Sequence, residues 1–375
     1  MKKKSATWRG IALFAIVSLV LTLIYTLNDT GTDAKKKQQP PPPVTEPAPA
    51  AVPIQAAKTV LGYYTVYHSG DQHSYHSLSA SSSYLHQVSM MTFQATATGD
   101  ISGTAATDGL QLAASKNIGA YAALTNETEG GFDKDLAHTV LADPKLRQKT
   151  VSNAVTLVTA HGFAGLNVDF ENMLPSDRPL YTSFVTELAA ALHANGKQLV
   201  VSMAAKTSDY PTSNWFGAFD YAAIGQAADQ VQLMTYDENG PWGAPGSVAG
   251  YPWVESVVRY AVSQIPSTKI LIGLPAYGYD WNTTAGTGKA VTWKGIPSLL
   301  ATTGAAPQWD AVKQSPYFTY KAADGSAHTV WYENGKSIIA KTKLTTRYNL
   351  GGVSVWRMGL EDESFWQAVQ SGLAP

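Results

Sequence analysis

A parallel (β/α)8 barrel is the fold that this 375-residue sequence predicts, and three observations lead to it. Eight short apolar strand-like runs alternate with helical runs between residues 58 and 375. No Gly-x-Gly-x-x-Gly follows the first of them and no phosphate loop occurs, which disfavours an open nucleotide-binding sheet. The fourth run carries a row of polar groups on one face. In a barrel, such a row ends at the rim where chemistry is done.

Ahead of the barrel, Lys2, Lys3 and Lys4 form a basic N-terminus, residues 1–9, expected to be cytoplasmic. Residues 10–27 are uncharged and apolar, approaching the length that spans a bilayer. No small-x-small cleavage site follows, since Ile24-Tyr25-Thr26-Leu27 is bulky. The expectation is therefore a transmembrane signal anchor, with a secreted protein as the alternative if the segment is cleaved. Lys35, Lys36 and Lys37 oppose the N-terminal cluster. That cluster nevertheless comes first and the large domain follows the span, so the domain is expected outside the cell membrane. Residues 28–57 are Lys- then Pro/Ala-rich, including Pro40-Pro41-Pro42-Pro43, and predict an extended spacer.

The barrel strands follow in order: Val60–Tyr64, Val88–Phe93, Ile118–Leu124, Gly165–Glu171, Leu199–Met203, Gln230–Tyr236, Ile270–Leu274 and Gly352–Trp356. Between them, Asp143-Pro144 starts a helix as N-cap and N1 proline. Another runs from Tyr181 to Ala194 and stops at Asn195-Gly196. The alternation breaks after the seventh strand. Tyr317–Lys321 and His328–Tyr332 flank a turn containing Asp324-Gly325, so residues 281–345 are read as a β-rich insertion.

Composition narrows the function classes. The formal net charge of −1 argues against a nucleic-acid partner. The chain has no cysteine, hence no disulfide and no thiolate site. His68, His73, His76 and His86 fit no standard metal spacing, and neither metal nor cofactor is expected. Nothing in the sequence demands more than a monomer.

The chemistry gathers on three strands. In the fourth, Leu166, Val168 and Phe170 face one way, and Asn167, Asp169 and Glu171 the other. Same-face neighbours stand about 6.5 Å apart, and carboxylates in such a row are costly to bury unpaired. The sixth strand ends in Met234-Thr235-Tyr236-Asp237, and the eighth in Trp356 followed by Arg357. Two adjoining carboxylates in a dry cleft repel, which raises a pKa and keeps a proton available near neutrality.

These residues resemble family 18 glycoside hydrolases. Ala164-Gly165-Leu166-Asn167-Val168-Asp169-Phe170-Glu171 is similar to that family's D-G-x-D-x-D-x-E signature, Met234-Thr235-Tyr236-Asp237 to its M-x-Y-D, and Trp356 to its strand-eight tryptophan. The resemblance extends from Lys58 to about Ala368. With Leu274–Trp281 and Val355–Gly359, it leans toward the spore-cortex and peptidoglycan N-acetylglucosaminidase branch. Two positions depart from the signature: Ala164 and Asn167 stand where it has aspartates. An amide at 167 can hold Asp169 but cannot exchange a proton. No LysM wall-binding repeat is visible.

The resemblance implies a retaining, substrate-assisted hydrolase of β-1,4-linked N-acetylglucosamine polymers, peptidoglycan first and chitin second. Glu171 would be the general acid. Asp169 would orient the substrate's acetamido group, and Tyr236 would hold its oxygen. Asp237 would bind sugar, and Trp356 would floor the subsite. Asn167, Gln232, Met234, Tyr64 and Tyr277 are further candidate substrate contacts. Asn126 is a candidate cleft residue, and Trp242 and Trp253 are candidate outer sugar platforms. A non-catalytic lectin-like relative is the other alternative, although such a protein would ordinarily lack the acid.

Overall fold

The computed structural model describes residues 58–374. The expected anchor (10–27) and spacer (28–57) lie outside the described residues. Among the described residues, no helix is long and apolar enough to cross a membrane.

Eight parallel strands close a barrel: β1 (Thr59–Thr65), β2 (Gln87–Ala95), β3 (Gly119–Thr125), β4 (Gly165–Asp169), β5 (Gln198–Ala204), β6 (Gln230–Met234), β7 (Ile270–Pro275) and β8 (Gly352–Trp356). Each pairs with its sequence neighbour, and β8 returns to pair with β1, so no edge remains. The register sets Thr125 beside Asp169 and Pro275 beside Trp356, which brings these C-terminal ends to one rim.

Strand parity divides the core. On β4, Leu166 and Val168 join the large apolar layer between strands and helices. On β1, Val60 and Tyr64 face that layer, whereas Leu61 and Tyr63 point into the barrel with Leu271. Helix Pro144–Ala160 starts where its sequence signals place it, with the Asp143 carboxylate accepting from the Lys145 amide. The next helix starts three residues before Tyr181, at Arg178, because Pro179 is accommodated in the first turn. It ends at His193, and Gly196 turns the chain at φ +66°.

The insertion begins earlier than residue 281. Tyr277–Asn282 leaves β7 after one residue, Ala276, and already belongs to a separate five-stranded antiparallel sheet. Its other strands are Thr287–Thr292, Gln308–Asp310, Ser315–Lys321 and Ala327–Trp331. The last two pair around the Asp324-Gly325 turn, Thr319 opposite Thr329. Residues 335–347 are helical and lead back to β8. Alternation along Tyr277–Asn282 gives the sheet two faces. Tyr277, Tyr279 and Trp281 pack with Tyr236 and Trp356. Asp280, on the other face, accepts from Tyr320 and bonds His328.

Candidate active site

The barrel floor beneath the rim is a network of hydroxyls and amides. Fully buried Asn167 donates to Tyr63 Oη and Ser89 Oγ, both at 2.9 Å, and accepts from Ser202 Oγ at 3.1 Å. Tyr63 in turn donates to Gln232 Oε1 and lies 2.8 Å from Ser202 Oγ. Five strands, β1, β2, β4, β5 and β6, thus meet through Asn167 and Tyr63. Burying these groups is inexpensive because their hydrogen bonds are made.

Asp169 sits one inward step above. Its carboxylate is buried, and Oδ1 has no hydrogen-bond partner. Burial pushes its pKa up, and the Glu127 carboxylate pushes it further. Glu171 lies beyond the end of β4, and a side chain rather than a strand holds its backbone. Asn126 Oδ1 accepts from the Glu171 amide, and Asn126 Nδ2 donates to the Glu171 carbonyl, each at 2.9 Å. The Glu171 carboxyl is also held well above the usual range, by burial first and then by Asp169, Asp237 and Glu127. The charges that act on it are all acidic. Glu171, Asp169 and Asp237 lie close together away from bulk water and cannot all ionise cheaply, so a proton is retained among them near neutrality.

β6 ends at Met234, two residues before the expected end, because Thr235 bends away and donates to the Gly273 carbonyl. Gln232 and Met234 share the inward parity opposite Val231 and Leu233. Tyr236 packs between Tyr277 and Trp356. Gly273 makes room for it: a Cβ there would lie 2.6 Å from the Tyr236 ring. Asp237 adopts φ +61°, a left-handed conformation that aspartate tolerates better than most residues. This aims Oδ1 at two phenols of the insertion, Tyr277 (2.7 Å) and Tyr279 (2.9 Å). Burial raises its pKa, and those two donated bonds oppose the rise. Trp356 packs edge-on to Tyr63, ring centroids 5.4 Å apart.

Glu171, Asp169, Tyr236, Asp237, Trp356, Asn167, Gln232, Met234 and Tyr277 therefore gather at one mouth and the floor beneath it. Tyr64 does not. It faces the helical layer against Gly109, and its inward neighbour Tyr63 stands in the barrel instead. The strand begins one residue earlier than Val60, and either parity of Tyr63-Tyr64 satisfies an apolar pattern. Asn126 serves as the clamp on Glu171. Trp242 is 72% exposed and packs edge-on to Tyr279, whereas Trp253 packs on the helical layer away from the mouth. Sequence reasoning missed Ser89, Ser202, Tyr279 and Glu127. Period-2 parity with Tyr277 could have found Tyr279. Glu127 is exposed on a short hairpin after β3, where Glu127–Thr128 pairs with Gly131–Phe132, and it carries no local signal. It also lines an open groove of about 700 Å³ with Gln94, Ser102, Asp133 and Asp135. Among the described residues, no cluster of three or more histidines or carboxylates could hold a metal ion.

The residue types at this mouth can move a proton and bind a neutral, hydroxyl-rich ligand over an indole. Comparison with known proteins gives the arrangement a context. Residues 59–361 match the family model described as glycosyl hydrolases family 18. The uncharacterized glycosylase YvbX of Bacillus subtilis is 37% identical over 321 residues, 85% of this chain and 92% of that protein. The cortical fragment-lytic enzyme of the same organism is 32% identical over 76% of this chain and 67% of its own length. The crystal structure of a chitinase from Chromobacterium violaceum superposes with a TM-score of 0.80 at 38% identity, covering 85% of this chain and all of that one.

Proposed function

Since the chain belongs to family 18 of the glycosyl hydrolases and is a glycosidase, we propose that it cleaves β-1,4 linkages of N-acetylglucosamine-containing glycan by a retaining, substrate-assisted route. The observation that carries this reading is the buried, unpartnered Oδ1 of Asp169 beside Glu171, whose carboxyl is held well above the usual range by burial and by its acidic neighbours. An unpaired buried acceptor is costly and calls for a donor from the ligand. The N–H of a 2-acetamido group is such a donor. In this reading, Asp169 accepts that N–H and turns the acetamide oxygen toward C1. Tyr236 donates to the same oxygen. Glu171 protonates the glycosidic oxygen as the C1–O bond breaks and the acetamide oxygen bonds to C1. An oxazolinium ion results, and the Asp169 carboxylate balances its charge. Glu171 then takes a proton from water as the water oxygen attacks C1, which reopens the ring with retained configuration. Trp356 floors the sugar, and Asp237 binds a hydroxyl.

For the substrate, similarity to the cortical fragment-lytic enzyme supports peptidoglycan. Similarity to the C. violaceum chitinase favours chitin oligomers as the second reading. We also propose that the protein is a monomer anchored in the cell membrane with its barrel outside; the apolar run at residues 10–27 supports the anchor.

Glu171→Gln keeps the shape of the side chain and removes its proton. Release of reducing ends from peptidoglycan and from chitin oligomers should fall at least a thousandfold. Unchanged release would remove Glu171 from the mechanism. No release from either glycan by the unaltered protein would overturn the enzymatic reading in favour of a binding protein.

A further inference from the structure

Arg357 is a cation without a counter-ion at the mouth. The other arginines among the described residues, Arg147, Arg178, Arg259 and Arg347, each meet a carboxylate. Arg357 meets none there. It is held in place nonetheless. Its Nη1 donates to Thr65 Oγ1 at 3.0 Å, and its guanidinium lies 4.7 Å from the centroid of the Tyr67 ring. Thr65 is buried and Tyr67 is 63% exposed. A half-buried guanidinium stacked on an exposed ring and tied at one nitrogen is an oriented fork whose remaining N–H groups are free to bind.

Its position along the cleft follows from parity. Tyr63 and Thr65 are successive inward residues of β1, about 6.5 Å apart. The Trp356 ring packs on Tyr63, and the Arg357 guanidinium reaches Thr65. The cation therefore stands one step outward of the indole, within reach of a substituent on the sugar above it or on the next sugar. The far side of the mouth is acidic. Glu127 acts on both Asp169 and Glu171, and it shares its groove with Glu129, Asp133 and Asp135. An anionic glycan would be repelled there and received only on the β1–β8 side.

We propose that Arg357 is a specificity-determining residue that receives a carboxylate borne by the glycan, so that the enzyme prefers an anionic N-acetylated glycan to neutral chitin. This rests on the hydrolase reading above and narrows its substrate class. Peptidoglycan offers two sources of the same chemistry: the lactyl-ether carboxylate of a muramic sugar and the carboxylates of a stem peptide. The neutral chitin chain offers neither.

The test compares kcat/KM on three substrates: chitin oligomers, glycan strands stripped of stem peptides, and strands with stems intact. For Arg357→Gln, the ratio of stripped strands to chitin should fall about tenfold or more, the usual worth of a charge-assisted contact. Arg357→Lys should recover part of it. A fall confined to strands with intact stems assigns the contact to peptide carboxylates and upholds the proposal. Equal losses on all substrates would make Arg357 merely structural, and unchanged ratios would make it irrelevant; either result overturns the proposal. So would an unaltered enzyme that cleaves only chitin. Binding of stripped strands to Glu171→Gln, with and without Arg357→Gln, reads the same contact without turnover. If no glycan is cleaved at all, the hydrolase reading falls, and this binding pair still decides Arg357.

Discussion

Asn167 and Asp169 occupy neighbouring inward steps of one strand, yet their surroundings are opposite. Asn167 makes three hydrogen bonds, whereas Asp169 leaves Oδ1 unpaired. A carboxylate at 167 could not donate to Tyr63 and Ser89, whose hydroxyls would have to turn and donate to it, and it would add a second buried charge beneath Asp169. The amide makes its three bonds to this hydroxyl floor without that charge. Glu171 carries the opposite strain. Its pKa is raised in the folded protein, so the native state binds more protons than the unfolded one above the ordinary carboxylate range. Its contribution to stability is full below the ordinary value, near 4.3, and is lost as pH rises through the raised value. Glu171→Gln cannot ionise. Its melting temperature should equal the parent's near pH 4 and exceed it increasingly toward pH 8. Thermal melts across that range provide the check, and a constant gap would mean that Glu171 is not a strained acid.

At the level of elements, the site depends on where strands stop. β4 ends at Asp169, and Asn126 replaces the missing ladder partners of Glu171. β6 ends at Met234, and the following bend delivers Tyr236 and a left-handed Asp237. Gly273 on β7 makes that bend possible, since a Cβ would meet the Tyr236 ring at 2.6 Å and the Leu233 carbonyl at 2.7 Å. The backbone carbonyl cannot move aside, so Gly273→Ala must displace Tyr236. We expect a loss of about 1–3 kcal/mol in urea unfolding. We also expect kcat on glycan to fall more than stability alone explains, because the Tyr236 hydroxyl leaves its place. Unchanged kcat would separate Tyr236 from the chemistry.

Across the whole molecule, the insertion both builds the mouth and is anchored to the barrel behind it. Its first strand supplies the Tyr277 and Tyr279 donors to Asp237. Just past its last strand, Glu333 is bound at 2.6 Å by Lys341 of helix Gly335–Thr342, and both side chains are wholly buried. Burial raises the pKa of Glu333, and Lys341 opposes the rise. Removing one partner leaves an uncompensated charge, so Lys341→Met should cost about 3–5 kcal/mol in denaturant unfolding. Adding Glu333→Gln should return much of that loss. If the single variant unfolds like the parent, the pair contributes nothing to holding the insertion.

Much of this was legible in the sequence, and the boundary has a physical basis. Period-2 alternation is a local property, so it determined the eight strands, the shared face of Asn167 and Asp169, and the outward Leu166 and Val168; the strand expected to reach Glu171 stops at Asp169. The helix start at Asp143-Pro144 was equally local. Tertiary structure alone decided the remainder. Where two adjacent aromatics both suit a buried strand, only barrel closure selects Tyr63 over Tyr64 for the interior. Only the folded chain brings Asn126 to the Glu171 backbone, Tyr279 to Asp237 and the exposed Glu127 within electrostatic range of Asp169. Arg357, legible only as the residue after a strand-eight tryptophan, became an unpaired cation because folding placed Thr65 and Tyr67 beside it and no carboxylate. Charge pairing between distant residues leaves no periodic trace in sequence; it exists only once the strands have closed.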